Sequence, residues 1–207
     1  MGYNLESWVT RFAERSDLST RLVHLTKPTS TFSEMEVLFQ ILESGEIKGS
    51  DSEGYVIGSR KAACFQDAPL DAICQNCWYE QKYREEKNIN AKIRYEPIGL
   101  LVDKEDVYSH GGRPVIYDKT AEAMRYLKQD QHWRIVNLDL DDTSNIVDWT
   151  HEREWRVPDA YKLNLSKTIL LFTNEGDSRE FIKLCESKGH NFHREVAGFV
   201  TLSTLLY

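Results

Sequence analysis

The chain has 207 residues, 41% of them hydrophobic and 29% charged, with a formal net charge of −7. That length and composition suit one domain with a sizeable core and argue against extensive disorder. The acid excess counts against a protein whose main task is gripping phosphate backbone, and no apolar run reaches membrane-spanning length.

Residues 5–15 read as a short amphipathic helix with Trp8, Val9 and Phe12 inward, inside an N-terminal helical element over 1–20. The segment lacks a signal-peptide core, so a cytoplasmic protein without a membrane partner is expected. Arg21–Thr26 reads as a strand stopped by Lys27-Pro28. Ser33 and Glu36 form a capping box ahead of Val37, Leu38, Ile41 and Leu42, with Gly45 just beyond the helix. Residues 46–62 read as a loop with short extended pieces, and Ala62–Phe65 as a buried strand.

A helix follows from about Pro69 and runs into a charged stretch near Lys82–Lys92. Ile98–Val102 and Pro114–Tyr117 read as strands, with a tight turn at His110-Gly111-Gly112-Arg113 between them. Residues 120–128 look helical, and Trp133–Leu140, Arg153–Val157 and Thr168–Phe172 extended. A helix near 178–188 and a strand near Val196–Leu202 complete the chain. Strands and helices interleave without regular βαβ spacing. The expected class is α+β, a single domain over 1–207 with a mixed or largely antiparallel sheet flanked by helices.

Cys74 and Cys77 make a C-x-x-C pair, but no second ligand pair follows at zinc-site spacing. They fall on the stripe Leu70, Ile73, Cys74, Cys77, Trp78, whose spacing is that of a buried helix face. Core packing is the simpler reading, and no metal site is expected.

The densest chemistry lies in Trp149-Thr150-His151-Glu152-Arg153-Glu154-Trp155-Arg156-Val157. Read as a strand, this run puts Glu152, Glu154 and Arg156 on one side and Arg153, Trp155 and Val157 on the other. Two carboxylates so close are unfavourable unless water, a cation or a ligand separates them. A solvated edge strand explains them blandly; a cleft that orients a polar substrate explains them functionally. Elsewhere, His24 ends an apolar strand, Arg60 lies in a loop, and Arg113 follows paired glycines; the two arginines are candidates for holding phosphate.

The order of these residues resembles the ADP-ribosyltransferase superfamily, particularly the DarT-type toxins. The matching positions are His24-Leu25-Thr26, then Ile41-Leu42-Glu43-Ser44-Gly45, then Arg60, then Glu154-Trp155, with Tyr95–Val102 at the place of a central strand. The run Trp149–Arg156 is also similar to the Trp-x-x-Glu-x-Glu-Trp-Arg signature of a bacterial family related to abortive-infection proteins. The resemblance spans about residues 21–160 as scattered short motifs, and residues for recognising a DNA base are not among them.

It implies an ADP-ribosyltransferase-like fold and NAD as substrate. Glu154 would stabilise the ribosyl cation as nicotinamide leaves, Glu152 would position the acceptor, and His24 with Thr26 would bind the nicotinamide-side ribose. Arg60 would hold phosphate, with Arg113 beside its paired glycines a second phosphate candidate from the residues alone, and Tyr55, Phe65 or Trp155 would stack nicotinamide. The implied setting is bacterial anti-phage defence or a toxin, with a nucleic acid or protein acceptor, or simple NAD hydrolysis, and an antitoxin or regulatory partner. Two other classes compete. One is a non-catalytic nucleotide-sensing or partner-binding module of antitoxin or immunity type. The other, ranked last, is a nuclease using Glu152, Glu154 and the run Asp139, Asp141, Asp142 with Mg²⁺, although such an acidic run is more often a solvated loop.

Overall fold

The computed structural model describes residues 2–52, 55–87 and 96–206. Tyr95 and part of the charged stretch Lys82–Lys92 therefore lie outside the described residues. In chain order, α1 (Leu5–Ala13), β1 (Arg21–Leu25), α2 (Glu34–Ser44) and β2 (Glu46–Lys48) come first. Next are β3 (Ala62–Gln66), α3 (Leu70–Lys87), β4 (Gly99–Asp103) and α4 (Lys104–Ser109). β5 (Arg113–Pro114), β6 (Ile116–Asp118), α5 (Thr120–Tyr126) and β7 (Ile135–Asn137) follow, β7 being preceded by a 3₁₀ turn at Gln129–Arg134. A further 3₁₀ turn at Thr150–Glu152 leads into β8 (Glu154–Pro158) and β9 (Ala160–Lys162). The chain ends with β10 (Ile169–Phe172), α6 (Glu175–Ser187), α7 (Phe192–Glu195), β11 (Gly198–Thr201) and α8 (Ser203–Leu206).

The backbone gathers into two compact units that alternate along the chain. The first comprises Met1–Gly45, Ala68–Asp103 and Leu163–Tyr207; the second comprises Glu46–Asp67 and Lys104–Lys162. Length and the lack of a linker suggest one domain over 1–207, and crossings of this kind leave no linker to read.

In the first unit the strands run β11-β10-β4-β1, parallel between β10 and β11 and antiparallel elsewhere. β4 is apolar at successive positions because Gly99, Leu100, Leu101 and Val102 are all buried, covered on both faces. One face packs Val23, Leu101 and Leu171 against Ile73, Cys74, Cys77 and Leu202. β4 lies close against β1: a Cβ at Gly99 would meet the His24 carbonyl oxygen at 2.1 Å. The α2 capping box forms as its sequence requires, with Ser33 accepting from the Glu36 N–H and Glu36 accepting from the Ser33 N–H. Gly45 closes that helix at φ 69°, in the left-handed region that glycine enters without strain. α1 forms, but Val9 is exposed while Trp8 and Phe12 are half-buried with ring centroids 4.8 Å apart, so the expected inward stripe is only partial. Trp78 is likewise exposed, which narrows the α3 stripe to Leu70, Ile73, Cys74 and Cys77.

In the second unit, β8 is antiparallel to both β3 and β5, β2 pairs antiparallel with β9, and β6 pairs parallel with β7. The single strand expected at Pro114–Tyr117 is in fact two, because β5 and β6 belong to different sheets. Between them the Val115 N–H donates to the Glu154 carbonyl at 3.0 Å. The strand expected at Trp133–Leu140 shortens to β7 because the 3₁₀ turn takes Trp133 and Arg134. The chain as a whole is mixed α/β with mostly antiparallel strand pairing and flanking helices. Among the described residues no helix is long and apolar enough to cross a membrane.

Candidate functional site

β8 begins at Glu154, two residues later than an alternation that includes Glu152 implies. Asp148 accepts from the Thr150 hydroxyl at 2.7 Å and the Thr150 N–H at 2.8 Å, fixing the entry to the 3₁₀ turn. Those two bonds, the hydroxyl first, hold the Asp148 carboxyl below its ordinary range. Glu152 ends the turn, and Arg153 adopts φ 46°, a left-handed conformation that breaks any strand. Glu152 and Glu154 are therefore not alternate residues of one strand, and the expected row of Glu152, Glu154 and Arg156 is corrected to Glu154 and Arg156. Glu152 is half-buried, and its charge adds a minor upward push on the Cys64 thiol.

Glu154 and Arg156 do share a face, and there they bind each other. Arg156 Nε donates to Glu154 Oε1 at 2.7 Å and Nη2 donates to Oε2 at 3.3 Å. Arg156 Nη1 donates to the carbonyls of Trp133 at 2.8 Å and Ile135 at 3.1 Å. Glu154 is only 7% exposed and Arg156 only 3%. Burial acts against the Arg156 charge, but the Glu154 carboxylate outweighs it and raises the guanidinium pKa.

The register of β3 on β8 sets Cys64 opposite Arg156 and Gln66 opposite Glu154, so alternation gathers these side chains on one face. Burial first, then the neighbouring Glu154 carboxylate, push the Cys64 thiol well above its ordinary value; it is a protonated, inert sulfur. Gln66 is 8% exposed and its Oε1 accepts no hydrogen bond among the described residues. A buried acceptor in that state is costly unless something else donates to it. The Tyr117 hydroxyl accepts from the Glu154 backbone N–H at 2.7 Å, anchoring the first residue of β8. Burial pushes the Tyr117 phenol up to about 12.

The remaining candidates are distributed between the two units. His24 and Thr26 belong to the first unit, whereas Arg60, Arg113, Glu152 and Glu154 belong to the second. Thr26 is buried, and both its N–H (2.8 Å) and its hydroxyl (3.0 Å) donate to the Ile98 carbonyl, which accounts for it structurally. His24 stands opposite Leu100 in the β1–β4 ladder and is half-buried. Arg60 Nη2 donates to Asp159 at 2.6 Å; that hydrogen bond raises the Arg60 pKa and lowers that of Asp159. Arg113 Nη1 donates to the carbonyls of Tyr108 and Gly112, and its guanidinium lies 3.8 Å over the Tyr108 ring.

Of the aromatic candidates, Phe65 is buried edge-on against Tyr161, which makes it core. Tyr55 is exposed, and Trp155 lies across the strand from Glu154 with its indole N–H donating to Asp67 at 3.2 Å. His110–Arg113 is not a turn between two strands but the exit from α4. Gly112 is obligatory there, because a Cβ would meet the Val107 carbonyl oxygen at 2.6 Å. Asp139 and Asp141 both contact Lys119, and Asp142 accepts from Ser144. Cys74 and Cys77 lie in the apolar core of the first unit, where burial pushes their thiols up to about 11 and about 12.

Sequence reasoning missed Cys64, Gln66, Tyr117 and Arg134 as neighbours of the site. Pairing of β3 with β8 brings the first two in, and no local pattern announces a pairing across 90 residues. The opposite charges at 154 and 156 were the readable signal for the ion pair. Comparison with known proteins returned no family model, no curated protein and no solved structure that matches the chain.

Proposed function

We propose that the second unit carries an NAD-dependent ADP-ribosyl transfer or NAD hydrolysis site centred on Glu154. One observation carries the reading: on one face of β3 and β8, a carboxylate fixed by a buried guanidinium lies beside an unsatisfied buried acceptor, Gln66 Oε1. Such a carboxylate is already aimed, so it stabilises a developing positive charge without reorganising. The Gln66 acceptor suits a carboxamide N–H₂ of the kind nicotinamide carries.

In the proposed reaction the bond between nicotinamide nitrogen and ribose C1′ breaks, and its electron pair leaves with nicotinamide. The oxocarbenium-like ribose is stabilised by Glu154. A hydroxyl of water or of a macromolecular acceptor then attacks C1′, and its proton passes to Glu152, the more accessible carboxylate. The resemblance of residues 21–160 to ADP-ribosyltransferases supports this assignment, and with it a role in bacterial defence or as a toxin. Calorimetry with NAD on wild type and on the Glu152→Gln, Glu154→Gln double variant tests it. Binding retained in the variant with nicotinamide release lost is the expected outcome; release at the wild-type rate in the variant rejects the mechanism.

A second reading, a non-catalytic nucleotide-sensing or partner-binding module, has its own observation. Both Glu154 oxygens and all three guanidinium nitrogens of Arg156 bind within the protein. On this reading the pair is a clamp that holds β8, and the double variant keeps its cellular function wherever it folds.

A further inference from the structure

The chain holds 33 acidic against 26 basic residues. Arg15, Arg21, Arg60, Arg125 and Arg156 each pair with a carboxylate. Arg113 and Arg134 pair with none among the described residues and bind only neutral backbone carbonyls. Arg113 belongs to β5, and Arg134 donates to the carbonyl of its neighbour Pro114. Arg113 Nη1 donates to Tyr108 O at 3.0 Å and Gly112 O at 2.6 Å, while Arg134 Nε and Nη2 donate to Pro114 O at 3.2 Å and 3.1 Å.

Each guanidinium is thus tethered along one edge only. Arg113 Nε and Nη2 and Arg134 Nη1 have no acceptor among the described residues. Arg113 Cζ also lies 3.8 Å from the centre of the Tyr108 ring, a cation–π contact that occupies none of its N–H donors. The two cations feel each other: burial first, then the Arg113 charge, lower the Arg134 pKa. Two adjacent forks with open donors and no carboxylate match a multiply charged oxyanion, which each fork can bind through two oxygens. A lone surface arginine lacks that second charge.

We propose that Arg113 and Arg134 form an oxyanion site for the diphosphate group of a nucleotide. The natural ligand, NAD, is taken from the reading above; the anion site itself is measurable without any turnover. Arg60, tied to Asp159, is then not the phosphate holder.

The test is calorimetry of the full chain with inorganic pyrophosphate. The comparison set is wild type, Arg113→Gln, Arg134→Gln and the control Arg125→Gln, whose partner is Glu122. Saturable binding that weakens at least about tenfold in either site variant, as loss of a charge-assisted contact implies, and is unchanged in the control is expected. No saturable binding to wild type, equal binding in the site variants, or equal weakening in the control overturns the proposal. Should a Gln variant fail to fold, Arg113→Lys and Arg134→Lys keep the charge but lose the fork, and an undiminished affinity in both counts against the site. Pyrophosphate binding through both arginines with no NAD binding leaves the site standing and removes the NAD reading. NAD turnover with unchanged KM in both variants does the reverse.

Discussion

Replacing Glu154 by Gln should unsettle the fold as well as any chemistry, and the two effects can be separated. The carboxylate holds Arg156 through two bonds, 2.7 and 3.3 Å, with side chains 8% and 3% exposed. A glutamine keeps one acceptor oxygen but removes the charge, so the guanidinium retains its two carbonyl partners and one side-chain bond. Breaking a buried pair by removing one partner costs about 3–5 kcal/mol, and the retained acceptor places Glu154→Gln near about 3 kcal/mol. For a chain of this size that is a fall of roughly 6–12 °C in melting temperature. Arg156→Gln removes the guanidinium that makes all four hydrogen bonds and should reach about 4–5 kcal/mol. The double variant loses both charges together, so its cost should be smaller than the sum of the singles by at least about 2 kcal/mol. Urea unfolding of the four proteins reads the coupling directly. Single variants that each cost under about 1 kcal/mol, or costs that simply add, would refute the clamp.

Two further outcomes follow from packing and burial. Gly99→Ala forces a methyl to within 2.1 Å of the His24 carbonyl oxygen, so β1 and β4 must separate, at a cost of about 3 kcal/mol or more in urea unfolding; a loss below about 1 kcal/mol would show that the ladder is slack. Burial raises the thiols of Cys74, Cys77 and Cys185 from 9.0 to about 11, 12 and 11, so each contributes stability that is full below pH 9 and is lost as pH rises toward 11–12. At pH 10 that loss is on the order of 1 kcal/mol per thiol, and Cys185→Ala should flatten the fall in urea midpoint between pH 8 and pH 10; an unchanged slope contradicts the assignment.

The elements that were legible in the sequence are those whose signals are local. The Ser33–Glu36 box, the Gly45 stop and the buried spacing of Ile73, Cys74 and Cys77 all formed as their residues demand. β8 was legible from Glu154 onward, but period-two reasoning extended it through Arg153. The Asp148–Thr150 bonds and the left-handed Arg153 stop it there, a competition between side-chain capping and strand that alternation cannot register. Glu154 and Arg156 were visible as neighbours on one face. That they bind one another, with Cys64 and Gln66 alongside, depends on the β3–β8 register and so on the tertiary fold. Arg134 escaped notice because its tether to Pro114 spans 20 residues and two elements.

The most direct test of the account is nicotinamide release from NAD, read by chromatography, with wild type and Glu154→Gln compared at a temperature where unfolding curves show both folded. The account predicts release by the wild type and none above background from the folded variant. Equal release by the two proteins, or a wild type that neither releases nicotinamide nor binds NAD by calorimetry, would contradict it.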